Sequence, residues 1–260
     1  MISSMNIQEN LKNFYDSEAM KYAQTRQKPW KEATRILTII EEYINTNKKS
    51  KILELWCGSW RLTQQEWFKN LYKKDPINYT GVDISSELLK FAKKSFPSWN
   101  FVHMDMLQYI KMQKQESVDI ILAFASFQHI VNTKEREILM HYFYQTLVYG
   151  GLVIMTNRAF SKWFRNKYID SYKKSLRKYL YSFWKYDWRD IYVPWKWKDN
   201  DYARFYHLFS IKELQILAEQ AGFIIEKSIY IDKKWQEVDS EKYANNSFII
   251  LRKWVYTSNS

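Results

Sequence analysis

Apolar positions along the chain follow two periods, and the places where one gives way to the other mark out the elements. In KEATRILTIIEEYI, residues 31–44, Ala33, Ile36, Leu37, Ile40 and Ile44 fall on one helical stripe. The polar run NTNKKS ends that helix. KILEL then reads as a short buried strand, and RLTQQEWFKNLYKK as a helix. YTGVDI is a second strand, followed by the helix SSELLKFAKKSF, with Ser85 or Ser86 as N-cap and Pro97 closing it. NFVHMD is a third strand. VDIILAFAS is a fourth, apolar enough to be buried on both faces. A helix is expected over Lys134–Tyr149, and GGLVIMTN is a fifth strand. IKELQILAEQAGF is an amphipathic helix stopped by Gly222, and IIEKSIYI and SFIILRK form a final strand pair. Strands alternating with helices imply an α/β fold with a mostly parallel, doubly wound sheet, and the last pair implies an antiparallel edge. No internal repeat or low-complexity tract interrupts the pattern.

Charge changes this picture in one segment. The chain of 260 residues carries 40 Lys and Arg against 28 Asp and Glu, a formal +12. Residues 158–204 hold 13 of those basic residues, 5 acidic ones and 15 Phe, Trp and Tyr, so most of the surplus lies there. Basic residues interleaved with aromatics suit phosphates and unpaired bases. The alternative is a helical cap whose aromatics form its own core. The expected division is therefore 1–157 for N-terminal helices and a cofactor-binding core, 158–204 for a basic aromatic insert, and 205–260 for the rest of the core.

A single cysteine, Cys57, excludes an intramolecular disulfide and suits a reducing cytoplasm. The start, MISSMNIQENLKNFYD, lacks the apolar stretch of a signal peptide, and no apolar run is long enough to span a bilayer. Neither a metal nor a membrane is expected.

Candidate chemistry lies at the ends of the first three strands. Glu54 lies in the first strand and Gly58 in the turn after it. Asp83 ends the second strand, where a carboxylate can accept ribose hydroxyls, and Asp105 ends the third, where one can accept an adenine amino group. All three acids fall on the carboxyl edge of the sheet, the usual ligand crevice of an open α/β fold.

The order ILELWCGSWRLT, YTGVDISSELLKFAKK, FVHMDM, VDIILAFASFQHI, GGLVIMTN resembles class I S-adenosylmethionine-dependent methyltransferases. That resemblance implies a Rossmann-like, seven-stranded sheet with S-adenosyl-L-methionine held by Glu54, Cys57, Gly58, Ser59, Asp83, Ile84, Asp105, Met106 and Ala123. The family's first motif is written E/D-x-G-x-G-x-G; here Trp56 and Trp60 stand at two of its three glycines. The chain has 5 glycines and 12 tryptophans, whereas a chain of this length ordinarily carries roughly 18 glycines. Two readings stand. Either the indoles fill the cofactor place in a degenerate enzyme, or UGA codons that the organism reads as glycine have been translated as tryptophan. The counts, and the turn-like settings of Trp184, Trp197 and Trp235, favour the second.

The flanks narrow the resemblance. YDSEAMKYAQTRQKPW, SFQHI and DWRDIYVPWK…RFYHLFSIKELQILAEQAGF are similar to the tRNA wobble-uridine methyltransferases, which methyl-esterify 5-carboxymethyluridine. The family often has a second Tyr where Phe205 stands and two His where Gln128 and His129 stand. The resemblance implies tRNA as partner, with Arg26, Arg204, Tyr206 and His207 positioning the acceptor and Trp30, His129 and Trp195 lining its pocket. Some members of that family work with a small activating protein, a second possible partner. Competing functions are a methyltransferase for a small metabolite and a catalytically inactive RNA-binding subunit.

Overall fold

The computed structural model describes residues 4–25, 34–46, 50–59, 78–181, 187–197 and 200–254. The helix expected over residues 61–74 lies outside them. Two N-terminal helices, α1 (Ser4–Ser17) and α2 (Ala19–Thr25), precede α3 (Thr34–Thr46). The core follows as β1 (Lys51–Leu55), β2 (Asn78–Asp83), α4 (Ser86–Ser95), β3 (Asn100–His103), α5 (Met106–Lys111), β4 (Val118–Phe124), α6 (Thr133–Thr146) and β5 (Leu147–Arg158). Next come α7 (Lys162–Lys167), α8 (Ile169–Tyr181) and the strands β6 (Asp190–Trp197) and β7 (Asn200–His207). The chain closes with α9 (Ile211–Ala221), β8 (Phe223–Ile231), β9 (Glu237–Val238) and β10 (Asn246–Lys253).

Among the described residues the main sheet has eight strands in the order β3-β2-β1-β4-β5-β10-β8-β9. β3 to β5 run parallel, and β10 is antiparallel to both β5 and β8. This is the Rossmann-like α/β fold that the alternation implies. The expected antiparallel edge is present: β10 runs antiparallel between β5 and β8, and the short β9, an eighth strand, runs antiparallel to β8 at the rim.

The central strands carry apolar residues on both faces because helices cover both faces. Ile120, Leu122, Leu152 and Ile154 pack with Ile40, Tyr43 and Ile44 of α3 and with Leu89 and Ala92 of α4. Ile121, Ala123, Val153 and Met155 point the other way, onto Ile110, Leu139, Phe143, Leu214 and Leu217. Side chains cap the helices. Ser85 Oγ accepts from Leu88 N at 3.1 Å, and Asn132 Oδ1 accepts from Glu135 N at 2.8 Å. Gly222 ends α9 in the left-handed region at φ 96°, where a glycine is least strained. The helix expected over Lys134–Tyr149 stops at Thr146, because Leu147 already pairs with Val118.

β6 and β7 form their own antiparallel hairpin, with Arg204 opposite Val193 and Tyr206 opposite Ile191. The expected boundary at residue 204 therefore cuts a strand, and the insert runs to His207. Its aromatics do form a small core. Phe160, Phe164, Ile191, Val193, Tyr206 and Leu208 cluster, with Tyr168, Tyr172 and Trp188 packed on them. No described helix is long and apolar enough to cross a membrane.

Candidate active site

A cavity of about 470 Å3 opens at the carboxyl edge of β1, β4 and β5. α1, α2, α7 and the β6–β7 hairpin wall it, through Tyr15, Tyr22, Phe164, Arg204 and Tyr206.

One side of the cavity is built from the β1 turn. Gly58 sits at φ 59°, and its N–H donates to Asp83 Oδ2 at 2.7 Å. Ser85 N donates to Asp83 Oδ1 at 2.8 Å. Tyr79 donates its hydroxyl to Glu54 Oε2 at 2.5 Å. Burial pushes the Asp83 carboxyl up to about 6 against its two backbone donors. It pushes Glu54 up to about 7, with the Tyr79 hydroxyl opposing and the Asp83 charge adding. Both carboxyls thus sit in a place that disfavours their charge until donors or cations arrive. Cys57 and Ser59 line the same side.

Ile84, Asp105, Met106 and Ala123 do not line the cavity. Ala123 and Met106 are core residues, and the Ile84 carbonyl accepts from His103. Asp105 caps α5 by accepting from Leu107 N and Gln108 N through Oδ1. Its Oδ2 is buried without a partner among the described residues.

Trp56 breaks the pattern of the turn. It occupies the left-handed region at φ 59°, as Trp235 does at φ 62°. The Trp56 indole stacks on His129 at 4.5 Å and 16° and meets Tyr15 edge-on at 5.7 Å. Its N–H is buried without a partner among the described residues. Trp235 follows a tight turn in which Trp235 N donates to Asp232 O at 3.2 Å and Asp232 N to Gln236 O at 2.9 Å. That is a three-residue hairpin whose left-handed position ordinarily takes glycine. Both indoles line the cavity. Trp60 and Trp184 lie outside the described residues, and Trp197 ends β6.

The other side of the cavity carries the acceptor candidates. Arg204 lies with its guanidinium 5.3 Å from the rings of Phe14 and Tyr206. Burial pulls its pKa down, but the hydroxyls of Tyr206 and Tyr15 outweigh that, so its charge is held. His129 lines the cavity too. Its Nδ1 lies 2.8 Å from the Phe205 carbonyl, which fixes Nδ1 as the donor and leaves Nε2 as an acceptor. Burial lowers its pKa to about 3, with the neighbouring Arg204 adding, so the ring is neutral.

His207 is elsewhere. It is fully buried beneath the hairpin, with Nδ1 2.7 Å from Asp190 and Nε2 2.7 Å from Glu213. Arg136 reaches the same carboxylates at 3.2 Å and 3.8 Å, and Arg189 reaches Glu213 at 2.7 Å. The expected positioning role for His207 is therefore corrected: it ties the hairpin to α9. Asp187, His207 and Glu213 have the spacing of a metal cluster, but the arginines and the His207 hydrogen bonds already engage its carboxylates. Arg26 and Trp30 lie outside the described residues. Trp195 falls in β6, and its side chain lies outside the described parts.

Sequence reasoning missed Tyr15, Tyr22, Arg158, Lys167, Tyr168, Lys233 and Asn245, all of which line the cavity. Arg158 had a readable signal, since it ends β5 on the same edge as the acids. Lys233 and Asn245 come from loops of the last strands, where nothing local marks them.

Residues 52–151 match the family described as a methyltransferase domain. A malonyl-[acyl-carrier protein] O-methyltransferase of Bacillus anthracis is 25% identical over 147 residues, 56% of this chain. That match covers 52% of the relative, so the chain spans about half the length of the curated relatives it matches. A SAM-dependent methyltransferase structure from Methanosarcina mazei superposes with a TM-score of 0.62 at 18% identity, covering 84% of this chain and 97% of the other. The partner of the Trm112 methyltransferase activator in a Haloferax volcanii complex gives 0.59 at 11% identity, covering 94% and 98%.

The fold and the domain match agree: residues 52–151 match a methyltransferase domain, within a Rossmann-like fold shared with S-adenosylmethionine-dependent methyltransferase structures. S-adenosylmethionine is the cofactor that the domain match and the fold support. Glu54, Gly58 and Asp83, which line the cavity, fit it; Asp105, which does not, keeps an orphaned Oδ2 among the described residues. Trp56 is the exception, a bulky ring at a position where the motif brings backbone close to the ligand.

Proposed function

We propose that the chain methyl-esterifies a carboxylate on a modified wobble uridine of tRNA. One observation carries the reading: the sign of the cavity's acceptor side. Arg158, Lys167, Arg204 and Lys233 line the cavity, and its only carboxyls among the described residues, Glu54 and Asp83, belong to β1 and β2. Beside it, α7 and α8 add Lys162, Arg165, Lys173, Lys174 and Arg177 against the single acid Asp170. Such a surface suits the phosphates of an RNA strand.

The cofactor supplies the methyl group. An ionised carboxylate is already nucleophilic at neutral pH, so the chain need only orient it and exclude water. Arg204 is suited to pair with the carboxylate before transfer, with the Tyr206 hydroxyl beside it. The pairing weakens as the neutral ester forms. Arg204→Gln should therefore raise the Michaelis constant more than it lowers turnover.

The test uses the chain with Trp56→Gly and Trp60→Gly, labelled cofactor and tRNA bearing 5-carboxymethyluridine, followed by mild base. Release of the label as methanol supports the ester; a label that survives base rejects it. The curated relatives favour a second reading, in which the acceptor is an acyl group such as malonyl on a carrier protein. Offering that acceptor in the same assay separates the two. The likeness to the chain in the activator complex supports a small activating partner as well, which a stimulation of turnover by such a protein would test.

A further inference from the structure

Beneath the hairpin, two arginines are supplied with acids. Arg136, 1% exposed, is paired with Asp190 and approaches Glu213, and Arg189 pairs with Glu213 at 2.7 Å. Arg158 is treated differently. It ends β5, with its backbone N–H donating to Gln128 Oε1 at 2.7 Å. Its Nη1 donates to the Asn245 carbonyl at 3.1 Å and to Asn245 Oδ1 at 2.7 Å. Its guanidinium lies 5.2 Å from the centre of the Phe164 ring. Its Nε is buried with no partner, and no carboxylate pairs with it among the described residues. Its side chain faces the cavity, as does that of Arg204.

A partly buried guanidinium without a counter-ion is unfavourable, and a carboxylate ligand in the cavity would complete the pair. Burial lowers the pKa of Arg158, and the nearby Arg204 charge adds to that, outweighing the Tyr206 and Tyr168 hydroxyls. Asn245 and Phe164 meanwhile fix the plane of the fork. A planar fork held from one edge is suited to a planar anion on the other, which favours a carboxylate over a tetrahedral phosphate.

We propose that Arg158 is the anchor for the acceptor's carboxylate: its guanidinium, held by Asn245 and Phe164 and lacking an acidic partner, receives that group opposite Arg204. The proposal deepens the esterification reading and rests on its acceptor being a carboxylate, but not on that acceptor being tRNA.

The experiment follows thermal unfolding of the full chain by circular dichroism at constant ionic strength. The additives are sodium acetate, its neutral isostere acetamide, and inorganic phosphate. Acetate should protect the chain and acetamide should not. Arg158→Gln should weaken the acetate effect by roughly tenfold in apparent affinity, the scale of one charge-assisted hydrogen bond. Arg158→Lys keeps the charge, loses the fork and should fall between. Equal effects of acetate and acetamide on the unsubstituted chain would overturn the proposal, whatever becomes of the variants. So would acetate protection unchanged in Arg158→Gln. Stronger protection by phosphate than by acetate, lost in Arg158→Gln, would overturn the carboxylate assignment. Arg158-dependent acetate protection in a chain that leaves carboxymethyluridine tRNA unmodified would keep this proposal and reject the tRNA acceptor.

Discussion

Replacing Trp56 or Trp235 by glycine should cost far less than replacing an ordinary tryptophan. Both residues sit at positive φ, 59° and 62°, a region that costs a residue with a Cβ about 1–2 kcal/mol. Trp56 also buries an indole N–H without a partner among the described residues, worth about 1–3 kcal/mol. Glycine removes both penalties. Against them, truncating a fully buried Trp costs about 3–5 kcal/mol. Both indoles are half-buried, so about 2 kcal/mol is the scale of that loss. Glycine's greater backbone freedom adds about 0.5–1 kcal/mol. These terms nearly cancel for Trp56, leaving a net change within about 1 kcal/mol of zero; Trp235 should lose about 1 kcal/mol.

Trp99 is the control. It is 8% exposed, stacks on Phe96 at 4.4 Å, lies 4.7 Å from Tyr79, and is absent from the positive-φ residues. Trp99→Gly relieves no strain and should cost about 4–6 kcal/mol. Urea denaturation followed by circular dichroism measures all three. A loss at position 56 or 235 as large as at 99 would refute the reasoning and make both indoles integral to the fold. The gene offers an independent check: UGA is expected at both positions and UGG at Trp99. With glycine at 56 and 60, calorimetry should show saturable S-adenosylmethionine binding, and the chain as written should bind more weakly.

Three further outcomes follow from the charges. Glu54 and Asp83 are raised by burial to about 7 and about 6, so between about pH 4.5 and 7 the ligand-free fold holds protons that the unfolded chain releases. Its stability should rise on acidification through that window, by up to about 3 kcal/mol for Glu54, and Glu54→Gln should flatten the urea-midpoint profile; a profile unchanged by that substitution would reject the assignment. His207 has its pKa raised, because hydrogen bonds to Asp190 and Glu213 outweigh burial and the Arg136 charge. Its stabilisation is present below its unfolded pKa and is lost as pH rises through the folded one; His207→Gln should cost about 3–5 kcal/mol, and a variant of unchanged stability but altered Michaelis constant would restore it to the site. Finally, tRNA affinity should fall steeply with salt, and Lys173→Ala or Arg177→Ala should each flatten that slope by about one unit or slightly less; a salt-independent affinity would favour the small-acceptor reading.

What the sequence made legible follows the range of the forces involved. β1 to β5 and their caps were readable because apolar period, N-cap chemistry and strand-end acids are local signals. Ser85 and Gly222 each do what their neighbours in sequence imply, whereas Asp105, expected at the cofactor, caps α5 instead. The sequence also signalled the glycine-like character of positions 56 and 235, because turn chemistry is local too.

His207 misled for the converse reason. Its neighbours Arg204 and Tyr206 line the cavity, and alternation along β7 should send positions 204 and 206 to one face and 207 to the other. The strand pattern was therefore enough to separate His207 from its neighbours, once residues 200–207 were read as a strand rather than as the end of an insert. The acceptor side was the least legible part, because it is assembled from distant segments. Arg158 ends β5, Lys233 lies in the β8–β9 turn, Asn245 precedes β10, and Tyr15 belongs to α1. Only the sheet order, with β10 pairing beside β5, brings Asn245 to the Arg158 guanidinium. The same pairing that closes the sheet thus sets the geometry of the cation, so a substitution in the β9–β10 loop should reach the acceptor side without touching any recognisable motif.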